Sequence, residues 1–285
     1  MNSRSKLPET FSRVRPSIIA FASAWAVVAD GEKPPLLPNI IGTGFIVDER
    51  GIAVTNRHVI EALEKLPKVP GRVTTFAMIF TEIKVEGNTR TIQAACVRLR
   101  RRFMATEIEI NTPFYGEITT DLGIVQLGVR DVPAMRISEQ ESCIRAGMPV
   151  ATAGFPLGSE ALLVYGNINQ LTPTLRHGIV SGVFPFDVPH AHGFTIDIMS
   201  QGGASGSPVF DPETGDVLGI LHAGFIGTNF THVVPGWLIA LSVRQLLQEK
   251  QWEFADIPTL AEYGGGRTAS GIGWDWIAPI PQGYE

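Results

Sequence analysis

Short apolar runs rich in β-branched residues follow one another along most of this chain, with glycine, proline, asparagine and aspartate between them. The segments DERG (48–51) and DPETGD (211–216) have the composition of turns between strands. Many short strands punctuated in this way predict an all-β sandwich or barrel. The candidate strands are 17–28, 42–47, 51–55, 73–83, 91–99, 122–127, 149–153, 178–184, 194–198, 208–210 and 217–222.

Helical signals are few in this sequence. The segment 56–66 has apolar spacing suited to about two helical turns. The segment 242–252 opens with Ser242, which can cap a helix, and it places Val243 and Leu246 on one face. We therefore expect a short helix near the C-terminus in an otherwise all-β chain.

The order of these elements suggests two β units and a tail. The more polar segment 128–147 is the candidate crossover between the units, so we expect an N-terminal β unit over 12–130 and a C-terminal β unit with its helix over 147–250. The segment 257–285 mixes glycine and proline with tryptophan, which predicts an irregular tail. The aromatic residues of this tail either pack on the body or dock on a partner.

Composition and charge narrow the class of protein. The 285 residues are 44% hydrophobic and 18% charged, which is typical of a globular protein. The formal net charge of −5 argues against a nucleic-acid partner, because neutralising phosphates requires clustered lysine and arginine. The cysteines, Cys96 and Cys143, are few for a secreted chain of this size, so we expect a cytoplasmic protein. Whether the two cysteines pair stays open.

The N-terminal segment 1–30 allows two interpretations. Basic residues precede an apolar run, which is roughly the layout of a secretory signal peptide, and the protein would then be exported. The run 18–28 also alternates like a strand and contains isoleucine, phenylalanine, tryptophan and valine. We favour the strand. No segment has the length of a transmembrane helix, and we expect no membrane partner.

The segment SQGGASGSPVF (200–210) surrounds Ser205 with glycines and small residues. A serine hydroxyl is a weak nucleophile that needs a general base, and its tetrahedral intermediate needs preorganised donors. Gly203 can take the backbone angles that turn its N–H toward a ligand, and the amide of Ser205 is the second candidate donor. A flexible turn is the alternative interpretation of this segment taken alone.

Two further residues complete a candidate constellation. His58 follows an apolar strand at the start of a helix, a rigid junction that can hold an imidazole in place. Asp121 opens the very apolar strand TTDLGIVQL (119–127), where a partly buried carboxylate would need a partner. The segment HAH (190–192) offers no evident third metal ligand, so we expect no metal site.

His58, Asp121 and Ser205 occur in the order His, Asp, Ser, each beside a strand end. The chain resembles the trypsin/chymotrypsin-like serine endopeptidases, most closely their HtrA/Deg-like branch. The blocks that carry this resemblance are GTGFIVDERGIAVTNRHVI (42–60), TDLGIVQL (120–127) and GGASGSPVFDPETGDVLGILHAG (202–224). The resemblance implies a fold of two six-stranded antiparallel β-barrels and no cofactor.

By the same resemblance, His58 is the general base, Asp121 orients it and Ser205 is the nucleophile. The amides of Gly203 and Ser205 form the oxyanion hole. Peptide bonds would be hydrolysed through an acyl-enzyme intermediate. Fewer than about forty residues follow the last candidate helix, too few for the PDZ-like domain of many HtrA proteins.

The resemblance also places substrate-binding residues. Met199 and Ser200 fall at the floor of the primary specificity pocket, and the strand containing His222, Ala223 and Gly224 would pair with the substrate backbone. With no acid at the floor, a buried substrate cation would lack a partner. We therefore expect cleavage after small or medium apolar residues rather than after arginine or lysine.

The expected partner is a protein or peptide substrate. A regulatory partner is a further candidate, and the oligomeric state stays open. Two alternatives remain at this point. One alternative to an active endopeptidase is a trypsin-fold protein that binds peptides without cutting them, and the other is a latent protease whose cleft is covered by the C-terminal tail or gated by a partner.

Overall fold

The structure is a computed structural model, and several segments of the chain fall outside what it describes. The described residues are 6–23, 39–66, 75–86, 89–105, 120–138, 144–156, 173–186, 190–224, 229–249, 252–263, 266–270 and 273–274. Some of the sequence-based predictions lie outside these ranges, namely residues 24–28, residues 73–74, the crossover segment 139–143 with Cys143, and the tail beyond 274.

Strands dominate the described residues. The helices are α1 (Leu7–Val14), α2 (Arg57–Glu64) and α3 (Gly236–Glu249), with a 3₁₀ turn at Arg15–Ser17. The strands are β1 (Ile18–Ser23), β2 (Asn39–Asp48), β3 (Ile52–Thr55), β4 (Thr75–Glu86), β5 (Thr89–Met104), β6 (Gly123–Leu127), β7 (Pro149–Gly154), β8 (Thr174–Phe184), β9 (Gly193–Ile196), β10 (Pro208–Phe210), β11 (Val217–Gly224), β12 (Thr231–Pro235), β13 (Gly266–Ser270) and β14 (Gly273–Trp274).

The strands form two closed antiparallel barrels. In the first barrel the order is β5-β4-β1-β2-β3-β6, and β6 pairs back with β5 to close it. In the second barrel the order is β10-β11-β12-β9-β8-β7, and β7 pairs with β10. Closure leaves few strand edges open to solvent. The expected fold of two six-stranded barrels with a short C-terminal helix is therefore confirmed.

Alternation along the strands builds three apolar cores. Side chains on one face of the first barrel's strands, including Phe21 and Val125, form the interior of that barrel. Phe194 and Val209 belong to the corresponding interior of the second barrel. A third cluster combines residues of both barrels, such as Phe45 from β2 with those from β7, β10 and β11. This shared core fixes the seam between the barrels.

Three local features differ from the sequence-based expectation. The C-terminal helix begins at Gly236, because Leu238 and Ile239 are fully buried and interrupt the amphipathic pattern that marked Ser242 as its start. Ser242 is itself buried inside the helix. The helix α1 was not predicted, and its Thr10 hydroxyl donates to the carbonyl of Glu213, 3.0 Å away in a turn of the second barrel.

The tail is more regular than expected. Its strand β13 pairs antiparallel with β5, from Gly266 opposite Ala95 to Ala269 opposite Ile92, and β14 continues that sheet. These few residues form strands within a tail that was expected to be irregular, because an open edge of a neighbouring strand supplies the hydrogen bonds that the broken sequence pattern does not suggest.

Candidate active site

Strand register brings His58 and Asp121 together. Thr55, the last residue of β3, lies opposite Gly123, the first residue of β6, so the residue that follows β3 and the residue that precedes β6 are neighbours. Asn56 is extended between β3 and α2, and its side-chain Nδ2 donates to the carbonyl of Asp121 at 2.9 Å. The junction that positions the imidazole is thereby tied to the segment that carries the carboxylate.

The Asp121 carboxylate holds His58 with both oxygens. The ring Nδ1 of His58 lies 2.6 Å from Oδ2, and the backbone N–H of His58 donates to Oδ1 at 3.0 Å. Burial alone would raise the pKa of Asp121, but the hydrogen bonds from His58, with the charges of His58 and His222, hold that pKa below its ordinary value. The carboxylate is therefore ionised at neutral pH and fixes the orientation of the imidazole.

A second imidazole approaches the same carboxylate. Nδ1 of His222, on β11 of the second barrel, lies 3.2 Å from Oδ2 of Asp121. Burial lowers the pKa of His222; the charge of Asp121 raises it and that of His58 lowers it, and the net shift is downward. The sequence predicts only a backbone role for His222 in substrate pairing, and this side-chain contact was not predicted. The one available signal was a histidine at the end of an apolar strand expected to border the cleft.

The loop that carries Ser205 is fastened to both barrels. The backbone N–H of Gly206 donates to Leu221 of β11 at 3.1 Å, and the carbonyl of Ser205 accepts from the N–H of Thr43 on β2 at 2.8 Å. Gly203 has φ +86° and Gly206 has φ +88°, conformations that favour glycine. These contacts place Ser205 at the seam between the barrels.

Two backbone N–H groups of this loop, those of Gly203 and Ser205, have no hydrogen-bond acceptor among the described residues. The neighbouring Ala204 and Ser207 amides close a turn. Ser205 and His58 both belong to the described residues, and no hydrogen bond joins them. The structure thus brings Asp121 and His58 into contact and seats Ser205 at the same seam without a bond to the imidazole.

The expected substrate-binding residues flank this loop. The Met199 side chain is 47% exposed, and its carbonyl accepts a hydrogen bond from Arg176. A Cβ added at Gly224 would lie 3.3 Å from Cβ of Ser200, so these two residues face each other across a narrow gap. Asp197 accepts the N–H of Ile179 at 2.7 Å. Beyond Leu221, the edge of β11 away from β12 has no partner strand among those that the structure describes.

The segment HAH (190–192) packs against Trp237 of α3. The His190 ring lies 4.9 Å from the Trp237 ring, and Nε1 of Trp237 donates to the carbonyl of Ala191 at 2.9 Å. Within the described ranges, no group of three or more histidine, cysteine, aspartate or glutamate side chains is arranged to hold a metal ion. The helices in those ranges are also too short or too polar to cross a membrane.

Two antiparallel barrels, with an aspartate–histidine pair and a glycine-rich serine loop at their seam, define the chymotrypsin-like architecture. Residues 42–220 match the family described as "Trypsin-like peptidase domain". The chain therefore belongs to the trypsin-like peptidase family, and the expected class, a trypsin-like serine endopeptidase, is confirmed.

Relatives and solved structures agree with this assignment. A protein described as "Probable periplasmic serine endoprotease DegP-like", from Halomonas elongata, is 24% identical over 197 residues, or 67% of this chain and 32% of the relative. This chain thus spans about a third of that relative's length. The serine endoprotease from Yersinia pestis superposes with a TM-score of 0.52 at 15% identity, covering 87% of this chain and 69% of that one. The "HtrA-type protease AlgW with decapeptide" gives a TM-score of 0.53 at 17% identity, covering 85% and 67%.

The expected cytoplasmic location is wrong. The Halomonas relative is described as periplasmic, which points to an exported protein. A chain of this size buries enough core to be stable without disulfides, so its cysteine count was a poor guide to its compartment. The segment that resembles a signal peptide contains β1, which pairs with both β2 and β4. Cleavage after residue 30 would remove that strand from the first barrel.

Proposed function

We propose that this protein hydrolyses peptide bonds with Ser205 as nucleophile, His58 as general base and Asp121 as the residue that orients the base. The observation that carries the proposal is that both oxygens of the Asp121 carboxylate contact His58, Oδ2 at 2.6 Å from Nδ1 and Oδ1 at 3.0 Å from the backbone nitrogen. The loop that carries Ser205 is hydrogen-bonded to both barrels at the same seam. A carboxylate on Nδ1 leaves Nε2 of the imidazole as the basic nitrogen, which is the tautomer that accepts a hydroxyl proton.

The reaction then runs in two halves. His58 takes the Ser205 proton as the hydroxyl attacks the substrate carbonyl, and it returns that proton to the leaving amine, which gives the acyl-enzyme. Water attacks the acyl-enzyme with His58 as base and releases the second product. Because its pKa is held low, Asp121 stays ionised and stabilises the imidazolium in both halves.

The unpartnered amides of Gly203 and Ser205 supply the oxyanion hole in this proposal. Backbone donors in a water-poor site are typically worth about 10²- to 10³-fold in kcat for each donor. The Ser205 hydroxyl forms no hydrogen bond with His58 in this structure, and catalytic hydrogen bonds are often long before substrate binds. We therefore expect the hydrogen bond between the Ser205 hydroxyl and His58 to form when substrate binds.

Substrate peptides are proposed to add to the open edge of β11 at His222, Ala223 and Gly224. The cleaved residue would enter the gap beside Met199 and Ser200, where the Arg176 guanidinium already donates to the Met199 carbonyl and would repel a substrate cation. A panel of fluorogenic peptides tests this pocket, with expected turnover of Ala and Val substrates above Arg. A clear preference for Arg would refute the pocket assignment and would leave the assignment of Ser205 as nucleophile unaffected.

The experiment that tests the mechanism compares the wild-type protein with Ser205→Ala. We expect a fluorophosphonate probe to label only the wild type, with the adduct mapped by mass spectrometry to Ser205, and we expect the variant to lose turnover while keeping its melting temperature. A folded wild type that binds peptides but is neither labelled nor active would instead establish the peptide-binding alternative. Turnover by Ser205→Ala at the wild-type rate would end the proposal.

A further inference from the structure

The side chain of His222 is partly buried at the seam, with its Nδ1 atom directed into the interior. Its Nδ1 is inaccessible to solvent and has no hydrogen-bond partner among the residues that the structure describes, although Oδ2 of Asp121 lies only 3.2 Å away. The distance suits a hydrogen bond, but the ring is not aligned with the oxygen. Burying such a group without a partner costs about 1–3 kcal/mol, so a small rotation that aligns it is favourable.

Backbone geometry explains why His222 points to the seam. On β11, Leu221 lies opposite Val233 of β12 and Ala223 lies opposite the next residue, His232. His222 is therefore the extra residue of a β-bulge. Bulges redirect side chains and recur beside active sites. The strand thus departs from regular pairing at the residue whose imidazole reaches the Asp121 carboxylate.

The titratable groups that face His222 come from each of the elements packed around it. Asp121 precedes β6, His58 lies on α2 with its ring centroid 6.3 Å away, and His232 lies on β12 with its ring centroid 5.6 Å away. Asp121 is the one anionic group among these and is therefore the hydrogen-bond acceptor available to an N–H of His222. Burial lowers the pKa of both His222 and His232, so His222 is neutral at neutral pH.

We propose that His222 is a positioning residue whose neutral Nδ1–H holds the Asp121 carboxylate from the second barrel. The inference rests on the proposed function of the Asp121–His58 pair. The carboxylate would then be fixed by the first barrel through His58 and by the second through His222. Its orientation toward the base therefore depends on the barrels being correctly seated on each other.

The charge state of His222 matters in this arrangement. A neutral donor orients the carboxylate and leaves its negative charge available to the His58 imidazolium. A protonated His222 would place a positive charge beside Asp121 and weaken that stabilisation. Activity therefore requires that both imidazoles be unprotonated before the serine is attacked.

Two substitutions separate the hydrogen bond from the bulk of the ring. His222→Asn keeps a donor on Cγ near the position of Nδ1, whereas His222→Leu fills similar space without one. We expect His222→Leu to lower kcat about 10- to 100-fold with KM within about twofold, because the lost bond is to a charged group that does not touch substrate. His222→Asn should restore most of kcat. The control His232→Asn removes a neighbouring imidazole that does not contact Asp121 and should leave kcat within about twofold.

The pH profile supplies a readout that a packing role would not move. In the acidic range, log kcat/KM of the wild type should steepen from one proton to two, whereas His222→Asn should follow a single proton throughout. A His222→Leu protein with wild-type kcat and an unchanged profile would overturn the proposal. So would a His222→Asn protein that keeps its melting temperature but is as impaired as His222→Leu.

A spectroscopic test needs no turnover and separates this inference from the proposed function. In the Ser205→Ala protein at pH 7.5, nitrogen-15 NMR should show Nδ1 of His222 protonated in a neutral ring. An unprotonated Nδ1 would refute the donor role even if the enzyme is fully active. A wild type that is neither active nor labelled by fluorophosphonate would refute the proposed function, and the catalytic role of His222 with it.

Discussion

The backbone N–H of Thr43, on β2 of the first barrel, donates to the carbonyl of Ser205, in a loop of the second barrel, at 2.8 Å. The Thr43 hydroxyl adds a bond to the carbonyl of Gly203 at 2.7 Å and accepts the N–H of Phe155 at 3.0 Å. One residue of the first barrel thus contacts both ends of the segment whose amides are proposed to bind the oxyanion. The conformation of the serine loop depends on a partner outside its own barrel.

Replacing Thr43 by valine should impair catalysis more than binding. The Thr43→Val protein loses the hydroxyl, which frees the Gly203 carbonyl and leaves the buried Phe155 N–H without an acceptor, a cost of about 1–3 kcal/mol in the free energy of unfolding. We expect kcat to fall about tenfold or more while KM changes little, because the oxyanion donors lose their fixed orientation. Steady-state kinetics and urea unfolding measure the two effects.

The matched control for this prediction is Thr43→Ser, which keeps the hydroxyl and both of its hydrogen bonds. It should retain kcat within about threefold, since it removes only a methyl group. Equal losses of kcat in the valine and serine variants would show that the hydroxyl does not organise the loop.

In the loop that carries Ser205, substitution by alanine should be disruptive at Gly206 and tolerated at Gly202. A Cβ at Gly206 would lie 2.0 Å from the carbonyl oxygen of Thr43, at a φ of +88°, so Gly206→Ala must displace the loop. At Gly202 a Cβ would meet no atom within 4 Å. We expect Gly206→Ala to abolish fluorophosphonate labelling and lower the free energy of unfolding by roughly 2 kcal/mol or more. Gly202→Ala should keep wild-type labelling, and a loss there as large as at Gly206 would contradict the packing of the loop.

The sequence carried enough information to predict the barrels and the residues at their seam. Turn segments such as 48–51 divide the strands, and His58 and Asp121 each stand beside a strand end, which is where antiparallel pairing brings distant residues together. The register of β3 against β6 then places the residues just beyond the paired strand ends next to each other. Patterns of period two report strands well, but they left a sandwich or a barrel open, and it was the resemblance to trypsin-like peptidases that predicted two barrels.

The remaining features depend on contacts that no local pattern contains. The bulge that aims His222 at Asp121 arises from the pairing of β11 with β12, not from the sequence of β11. The start of α3 at Gly236 was obscured because its first turns, 236–241, contain only apolar residues and therefore show no polar face. The strand β13 forms because an edge of β5 is available to it. In each case a distant partner decides the local structure.

Stability should fall between neutral and mildly acidic pH. Burial lowers the folded-state pKa of His222 and of His232 below the ordinary value of about 6.5, so the unfolded chain binds more protons as pH decreases through that range. Stability from these groups is full above the unfolded pKa and is lost as pH falls toward the folded one. The lowered pKa of Asp121 acts with the same sign but near pH 4 and below.

Urea unfolding at pH 7.5 and pH 5.5 isolates the histidine effect. The wild type should have a smaller free energy of unfolding at pH 5.5, and the difference should shrink in His222→Asn and in His232→Asn. His177 is exposed on β8, so His177→Asn should keep the wild-type difference. An unfolding free energy that is equal at the two pH values would contradict the burial of these imidazoles in neutral form.

The tail should divide into a structural part and a dispensable part at Tyr263. Residues 252–263 attach to the first barrel. The N–H of Arg130 donates to the carbonyl of Pro258 at 3.0 Å, and the Tyr263 hydroxyl donates to the carbonyl of Cys96 at 2.6 Å. Ile257 and Tyr263 are buried, at 1% and 5% exposure. Truncation before residue 252 should therefore cost at least about 3 kcal/mol of unfolding free energy.

Truncation after Tyr263 keeps these contacts and removes only residues 264–285. We expect it to change the free energy of unfolding by less than about 1 kcal/mol, because the paired β13 adds a strand to a barrel that is already closed. The same variant decides whether the tail makes the protease latent. Wild-type kcat/KM after truncation would exclude gating by residues 264–285, whereas a severalfold increase, with the fluorophosphonate labelling rate rising in parallel, would show that they cover the cleft.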